Sequence, residues 1–171
     1  ELGGDLYATF FTQEGSESGL FMRGSNEEWS EIPIAALPDN AKIQTIRKID
    51  SNLLVKYFIL NSDSMREYSA LYSSDGSSFT QVTGLSGAPI HDFAFDGSNY
   101  WVSSGSTLFA GPALNNLSEA TGDNALDSPA EVTALHYNST VGALFGADTD
   151  GYIHVFTNSI WIKSNQVNKD T

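Results

Sequence analysis

The chain has 171 residues, 40% of them hydrophobic and 12% aromatic, so it is long enough and apolar enough to fold around a buried core. It carries 8 basic and 21 acidic residues, and its net charge of -13 opposes binding to nucleic-acid phosphates and anionic membrane surfaces. Cysteine is absent, which excludes disulfides, thiolate metal sites and cysteine nucleophiles.

The best candidate for a membrane segment is the apolar run from Leu53 to Leu60, which is interrupted by Lys56. It is far shorter than the roughly 18 to 20 residues that cross a bilayer, so we expect a strand here and no transmembrane segment. The sequence begins at Glu1 with no signal-peptide pattern nearby. We interpret it as a processed or excised piece of a longer protein.

One ordered pattern of strands recurs along the chain. An alternating strand, a polar turn and a second strand rich in aromatic and branched residues start at roughly 45-residue intervals, at Ile43, Ile90 and Val132. A third strand is anchored four times, at Leu20, Leu71, Leu108 and Ile153. A fourth strand carries one large apolar residue in each unit, Trp29, Phe79, Leu117 or Trp161. The pattern predicts four consecutive antiparallel units.

The first unit starts directly at its second strand, so it lacks a first strand. We place the units at 5–34 (partial), 41–83, 89–121 and 131–163, in a single domain over 1–171. Four-stranded meanders that stack face to face, with the first strand innermost around a channel, are the blades of a β-propeller. A β-sandwich is the alternative all-β fold, but the fourfold recurrence favours the propeller. Helical turns are expected only near 34–37 and 124–126.

The turn after the third strand of the second unit reads Ser73-Ser74-Asp75-Gly76-Ser77-Ser78-Phe79. It resembles the Asp-box of sialidase-like, sortilin-like and related BNR propellers, which joins the third and fourth strands of a blade. In such a turn Asp75 accepts hydrogen bonds from backbone N–H groups, Gly76 supplies a permissive backbone and Phe79 packs inward. Ser73, which opens the motif, completes this structural set. The segment from Gly24 to Trp29 occupies the equivalent place as a version without the Asp.

The resemblance also implies a sialidase-type glycoside hydrolase as one function. Such enzymes bind the substrate carboxylate with three arginines, beside a Tyr/Glu nucleophile pair and an acid/base Asp. The three arginines here, Arg23, Arg47 and Arg66, fall on a third strand, a first strand and a loop, so no register gathers them at one mouth. We therefore assign no catalytic residue and expect a non-catalytic chain, with part of a sialidase-like propeller as the alternative.

Asp148-Thr149-Asp150-Gly151 is the sharpest local motif, since two carboxylates before a glycine can present oxygens to Ca²⁺. Asp-Gly is also a common tight hairpin turn, and the repeat requires a hairpin between strands two and three at this point. We expect the hairpin role and no cofactor, with calcium at Asp148 and Asp150 as the alternative. The three histidines, His91, His136 and His154, show no metal-ligand spacing.

In a propeller the loops that join strands two and three, and those that join successive blades, open on one face. In this chain those loops contain one main base, Arg66, and the acids Glu14, Glu17, Asp63, Asp123, Asp127, Asp148 and Asp150. The predicted face is acidic. This motivates the hypothesis that the face binds a cationic ligand, a basic protein segment or a metal, although solvation of surface loops by the same acids is the favoured explanation of the charge.

These patterns together predict a non-catalytic propeller scaffold for protein or ligand binding. The family habit of the resemblance, the serine- and asparagine-rich surface and the non-Met start favour an extracytoplasmic location, periplasmic, cell-surface or secreted. A domain of an assembly factor or sorting receptor is a further alternative, and it predicts an exposed aromatic patch near Tyr100 and Trp101. Because the first unit lacks its inner strand, the ring needs further blades or a homodimer joined through open sheet edges.

Overall fold

The computed structural model describes residues 2, 4–11, 18–121 and 131–164. The chain forms two compact units, Glu1–Val82 and Thr83–Thr171. The described residues form strands and turns only, so none of them belongs to a helix that could span a membrane. At 34–37 there is a single turn, in which the Leu37 N–H donates to the Ile34 carbonyl, 2.9 Å. The other expected helical turn, at 124–126, lies outside the described residues.

Unit 1 contains two antiparallel meanders. The first has three strands, β1 (Leu6–Phe11), β2 (Ser18–Arg23) and β3 (Trp29–Glu31). The second has four, β4 (Lys42–Ile49), β5 (Asn52–Leu60), β6 (Arg66–Ser73) and β7 (Thr80–Gln81). Neighbours along the chain are neighbours in each sheet, as expected for strands joined by short turns.

Unit 2 contains two four-stranded antiparallel meanders. The first consists of β8 (Ile90–Phe95), β9 (Tyr100–Ser104), β10 (Thr107–Gly111) and β11 (Ser118–Glu119). The second consists of β12 (Val132–Asn138), β13 (Ala143–Asp148), β14 (Ile153–Thr157) and β15 (Ile160–Lys163). The described sheets therefore agree with the predicted pattern of one meander without its first strand and three complete ones.

A β-bulge occurs at the same place in the first strand of every four-stranded sheet. The pairing register shifts between Ile43 and Thr45, between Ile90 and Asp92, and between Val132 and Ala134. A bulge leaves one residue unpaired and increases the local twist of the strand. Because this irregularity recurs at the interval of the sequence repeat, the three sheets share one backbone design.

Each unit buries apolar residues between its two sheets. In unit 1 the cluster joins Leu20 of β2 to residues of β4, β5 and β6, namely Ile43, Leu53, Val55, Tyr57 and Leu71. In unit 2 it joins residues of both sheets, Ala94, Trp101, Leu108, Val132, Leu135 and Leu144. Burial removes these faces from water at roughly 25 cal/mol per Å² of apolar surface, which makes face-to-face stacking favourable.

A side chain also links the first strands of the two sheets of unit 2. Asp92 on β8 accepts a hydrogen bond from the backbone N–H of Leu135 on β12, at 2.8 Å from Oδ2. Its Oδ1 accepts from the Phe93 N–H, 2.9 Å. The carboxylate thus satisfies a backbone donor in the neighbouring sheet, a role that backbone pairing performs within a sheet.

The large apolar residues expected to anchor the fourth strands lie either within the strand or immediately before it. Trp29 and Trp161 lie within β3 and β15, whereas Phe79 and Leu117 lie immediately before the two-residue strands β7 and β11. Phe79 nevertheless packs against the core cluster of unit 1. Trp29 is 49% exposed, so it anchors its strand less than the pattern predicts.

Candidate functional site

The acidic residues predicted to form a binding face are only partly described. Glu14, Glu17, Asp123 and Asp127 lie outside the described residues. Asp63 lies in the turn between β5 and β6, where it is exposed and its N–H donates to Asn61 Oδ1, 3.0 Å. Asp150 is exposed in the hairpin between β13 and β14. The binding role of this face stays a prediction.

Arg66, the main base predicted for that face, does not lie in a loop. It is the first residue of β6 and pairs with Leu60, and its guanidinium lies 4.5 Å from the centroid of the Phe58 ring. The strand therefore begins earlier than expected, and the cation–π contact links Arg66 to the neighbouring strand β5. Arg23 lies on β2 with Glu27 at 3.4 Å, and Arg47 lies on β4, so the three arginines occupy three strands of unit 1.

Asp148 is a buried acid at the end of β13. Its Oδ1 accepts hydrogen bonds from the backbone N–H groups of Asp150, 3.0 Å, and Tyr152, 2.9 Å. Its Oδ2 lies 2.7 Å from Nε2 of His154, and the two side chains are 0% and 3% exposed. Burial by itself raises the pKa of Asp148, but the hydrogen bonds from His154 and Tyr152 reverse that effect and hold this pKa below its ordinary value.

The Asp148 carboxylate therefore makes its hydrogen bonds within its own hairpin. Its Oδ1 accepts from two backbone N–H groups after β13, and its Oδ2 accepts from His154 on β14. Asp150, the second acid of the motif, faces solvent. Among the residues that the structure describes, no group of three or more His, Asp or Glu side chains has a spacing suited to a metal ion.

The turn that follows β6 is organised around one carboxylate. Asp75 Oδ1 accepts hydrogen bonds from the N–H groups of Ser78, 2.7 Å, and Ser77, 2.8 Å, and from the Ser73 hydroxyl, 2.8 Å. The Ser73 hydroxyl oxygen accepts in turn from the Gly76 N–H, 2.9 Å. The amides of Ser78 and Ser77, followed by the Ser73 hydroxyl, hold the pKa of Asp75 well below its usual range.

Gly76 is required at this turn for two reasons. Its φ of 75° is a left-handed conformation that side chains disfavour. A Cβ at this position would also overlap the hydroxyl of Tyr7 from β1. Burial, followed by the negative charges of Asp5 and Asp75, raises the pKa of Tyr7. The phenol therefore stays protonated while it packs over the turn.

The corresponding turn after β2 is one residue shorter and uses an amide in place of the carboxylate. Asn26 Oδ1 accepts from the Glu28 N–H, 3.2 Å, and Glu27 adopts the left-handed φ of 63°. Asn26 and Glu27 thus occupy the places of Asp75 and Gly76. Asn is one of the few residues whose side chain caps a turn in this way.

One concave feature of unit 2 lies mainly at the end of its sheets away from the turns between second and third strands. A cleft of about 570 Å³ is lined by three polar segments, 96–99, 118–121 and 156–159, and by Tyr137 and Gly142. Residues 96–99 form the turn between β8 and β9, 118–121 comprise β11 and the two residues after it, and 156–159 run from the end of β14 into the turn before β15. Among the described residues, its lining includes none of the predicted ligand contacts.

Asp96 is the most constrained polar residue of the cleft. Its Oδ1 accepts from the N–H groups of Ser98, 2.8 Å, and Asn99, 2.7 Å. Its Oδ2 accepts from the indole Nε1–H of Trp101, 2.6 Å. Three donors hold this carboxylate in one orientation before any ligand arrives. Such preorganisation reduces the entropy that binding loses.

Aromatic rings form the floor of the cleft. The centroid of Trp101 lies 4.7 Å from that of Phe156 and 5.9 Å from that of Trp161. Trp101 is 2% exposed and Tyr100 is 8% exposed, so the exposed aromatic patch predicted there is wrong. Both rings are covered because β9 is a central strand, packed on both faces.

The sequence offered a weak signal for this cleft. The segment from Asp96 to Asn99 reads as a hairpin turn, and in the structure it is one. What the turn chemistry did not reveal is that the Asp96 side chain reaches the indole of Trp101, because that contact depends on where the next strand begins. An Asp at a turn followed five residues later by a Trp is a pattern that could have indicated it.

Comparison with protein-family models gives no match, and comparison with curated proteins gives none either. Similar solved structures do exist. Two are of the extracellular domain of BT4673 from B. thetaiotaomicron, described as a candidate one component system in one and a candidate hybrid two component system in the other. Their TM-scores are 0.62 and 0.60 at 14% sequence identity, and each match covers 99% of this chain and 22% of that chain.

A third similar structure is the C-terminal WD40 domain of Sif2, with a TM-score of 0.50 and 9% identity. That match covers 89% of this chain and 55% of the Sif2 chain. The chain has the β-propeller fold. This confirms the fold expected from the repeats, and the chain corresponds to only a part of each of these larger structures.

Proposed function

We propose that this chain is part of a non-catalytic β-propeller that binds a ligand in the cleft of unit 2. The observation that carries the proposal is the cleft itself, with aromatic rings at its floor and hydroxyl, amide and carboxylate groups at its rim. Oriented polar groups of this kind fix the position of a ligand and provide specificity in binding pockets. The volume of about 570 Å³ suits a small molecule or a single side chain of a partner.

The turn at Ser73 to Phe79 is assigned in this proposal to the Asp-box type of BNR propellers. The support is the hydrogen bonding of Asp75 to Ser77 and Ser78 together with the left-handed Gly76. The role of such a box here is to close the turn. This role is structural and does not imply catalysis. Among the described residues, no observation favours the sialidase-like alternative.

The proposal also includes an extracytoplasmic location and a larger ring. The likeness to an extracellular domain supports the location, while the likeness to a WD40 domain supports the general role of a binding platform. The three-stranded first sheet supports completion by further blades or by a second copy of the chain. The solution mass of this chain distinguishes these two routes, since only the second requires a dimer.

A fragment screen by protein-observed NMR tests the proposal. A mixture of small polar and aromatic fragments is added to the ¹⁵N-labelled chain, and we expect the bound ones to shift amides of 96–99, 118–121 and 156–159. Asn158→Ala should remove these shifts, whereas Thr149→Ala at the opposite sheet end should not. Bound fragments recovered chemically unchanged support a non-catalytic site. Shifts confined to the β5–β6 or β13–β14 turns, or no shifts at all, would contradict it.

A further inference from the structure

The cleft of unit 2 has a one-sided charge pattern. Among the described residues that line it, two are carboxylates, Asp96 and Glu119, and none is Lys, Arg or His. The sequence of unit 2 contains no arginine, and its only lysines are Lys163 and Lys169. Lys163 lies elsewhere, with its ammonium 3.6 Å from the centroid of the Tyr152 ring. The cleft therefore carries negative charge without a basic side chain on its wall to neutralise it.

The Asp96 carboxylate retains accepting capacity despite its three hydrogen bonds. A carboxylate offers about four lone-pair positions, and here Oδ1 uses two of its own while Oδ2 uses one. All three partners are neutral N–H groups, so they orient the charge without cancelling it. Asp96 is also only partly buried, which leaves room for a ligand to approach it.

Two aromatic rings face the same space. Tyr137 and Phe156 both line the cleft and both stay partly exposed. Phe156 is held against Trp101 and Trp161, with ring centroids 4.7 and 5.2 Å away, so its orientation is fixed by packing. The negative face of an aromatic ring attracts a cation, and most strongly one that is weakly hydrated.

From this combination we infer that the cleft binds an organic cation, with a quaternary or alkyl ammonium group placed between Asp96 and the rings of Phe156 and Tyr137. The inference rests on the proposed ligand site and adds the ligand class. A neutral polyol could use the hydroxyl and amide groups of the rim. It would leave the oriented Asp96 charge and the Glu119 charge without a counterpart, and an anion would be repelled by both.

The experiment compares choline with 3,3-dimethylbutan-1-ol, a probe of the same shape with a neutral carbon in place of the nitrogen. Both are titrated into the ¹⁵N-labelled chain at low salt, and the amide shifts of 96–99 and 156–159 give the two affinities. We expect choline to bind at least about tenfold more tightly than its neutral isostere. We also expect the choline affinity to fall severalfold when the salt concentration rises.

Two variants test which side chains of the cleft bind the cation. Glu119→Gln removes an exposed carboxylate at the rim, which does not endanger folding, and should weaken choline binding about threefold while leaving the neutral isostere unchanged. Phe156→Leu should weaken it more, by about fivefold to tenfold, because the cation–π contact is lost. Asp150→Asn is the matched control, since it removes one exposed carboxylate at the opposite end of the sheets, and it should leave choline binding unchanged.

The outcomes separate the ligand class from the site. If the neutral isostere binds in the cleft as tightly as choline, the cation inference is wrong while the proposed binding site stands. If choline shifts no amide of the cleft at tens of millimolar, the cation inference is also wrong. If the fragment screen finds no cleft ligand either, the proposed function fails with it.

Discussion

Replacing Asp148 tests whether one buried carboxylate holds the β13–β14 hairpin together. In Asp148→Ala the N–H groups of Asp150 and Tyr152 lose their acceptor, and the imidazole of His154, 3% exposed, loses its partner at 2.7 Å. A buried polar group left unsatisfied costs about 1–3 kcal/mol, and water at the turn can satisfy some of these donors. We expect the free energy of unfolding to fall by about 3 kcal/mol, or a decrease in Tm of roughly 6–12 °C.

Two further variants separate charge from hydrogen bonding. Asp148→Asn keeps an amide oxygen for the two backbone donors but removes the charge opposite His154, and we expect a loss of about 1 kcal/mol. Asp150→Asn, an exposed acid in the same hairpin, should change stability by less than about 0.5 kcal/mol. Urea unfolding followed by tryptophan fluorescence gives all three values. If Asp148→Ala is as stable as Asp150→Asn, the hairpin does not depend on this carboxylate.

Three other predictions concern stability and its dependence on pH. Gly76→Ala should lower the free energy of unfolding by about 2 kcal/mol, because the residue has a left-handed φ and a Cβ would overlap the Tyr7 hydroxyl. Adding Tyr7→Phe should recover part of this loss, as measured by urea unfolding in a double-mutant cycle. If the effects of the two substitutions are strictly additive, the Cβ and the hydroxyl do not clash. Asp92→Ala removes the acceptor of the Leu135 N–H, so hydrogen exchange at that amide should accelerate by at least about tenfold. If the exchange rate is unchanged, β8 and β12 are held together by packing alone. The folded-state pKa of Asp148 lies below its unfolded value of about 3.9, so its stabilising effect is present above about pH 4 and is lost as pH falls through the folded-state pKa. The Tm difference between wild type and Asp148→Asn should therefore shrink as the pH falls below about 4. A Tm difference that stays constant would contradict a charged Asp148 in the folded state.

The fold could be predicted from the sequence because each sheet is a local structure. Strands that follow one another in the chain pair with one another, so the alternation of residues and the positions of turns contain most of the information. The three-stranded form of the first sheet, as the described residues show it, was expected from the same spacing. The bulge at Gln44, His91 and Thr133 could not be predicted, since a polar residue is equally compatible with regular pairing at that place in a strand.

The candidate site was harder to predict because it depends on contacts between residues distant in sequence. The cleft brings Asp96 near Phe156, which lies in the next sheet of unit 2. Arg66 was assigned to a loop because no local pattern shows that its side chain stacks on Phe58 across the sheet. An exposed patch at Tyr100 and Trp101 was predicted only by the assembly-factor or sorting-receptor alternative, and both residues instead lie in a central strand that is covered on both faces.

Part of the excess of acidic residues has a structural explanation. Four aspartates each accept a hydrogen bond from at least one backbone N–H group, Asp75, Asp96 and Asp148 at turns and Asp92 from the neighbouring sheet. Short β-meanders have many turns, and each turn exposes amides that a nearby carboxylate can satisfy. Part of the net charge of -13 therefore arises from the requirements of the turns. Asp96 differs from the other three in that it performs this role at the edge of a cleft, where the same charge remains accessible to a ligand.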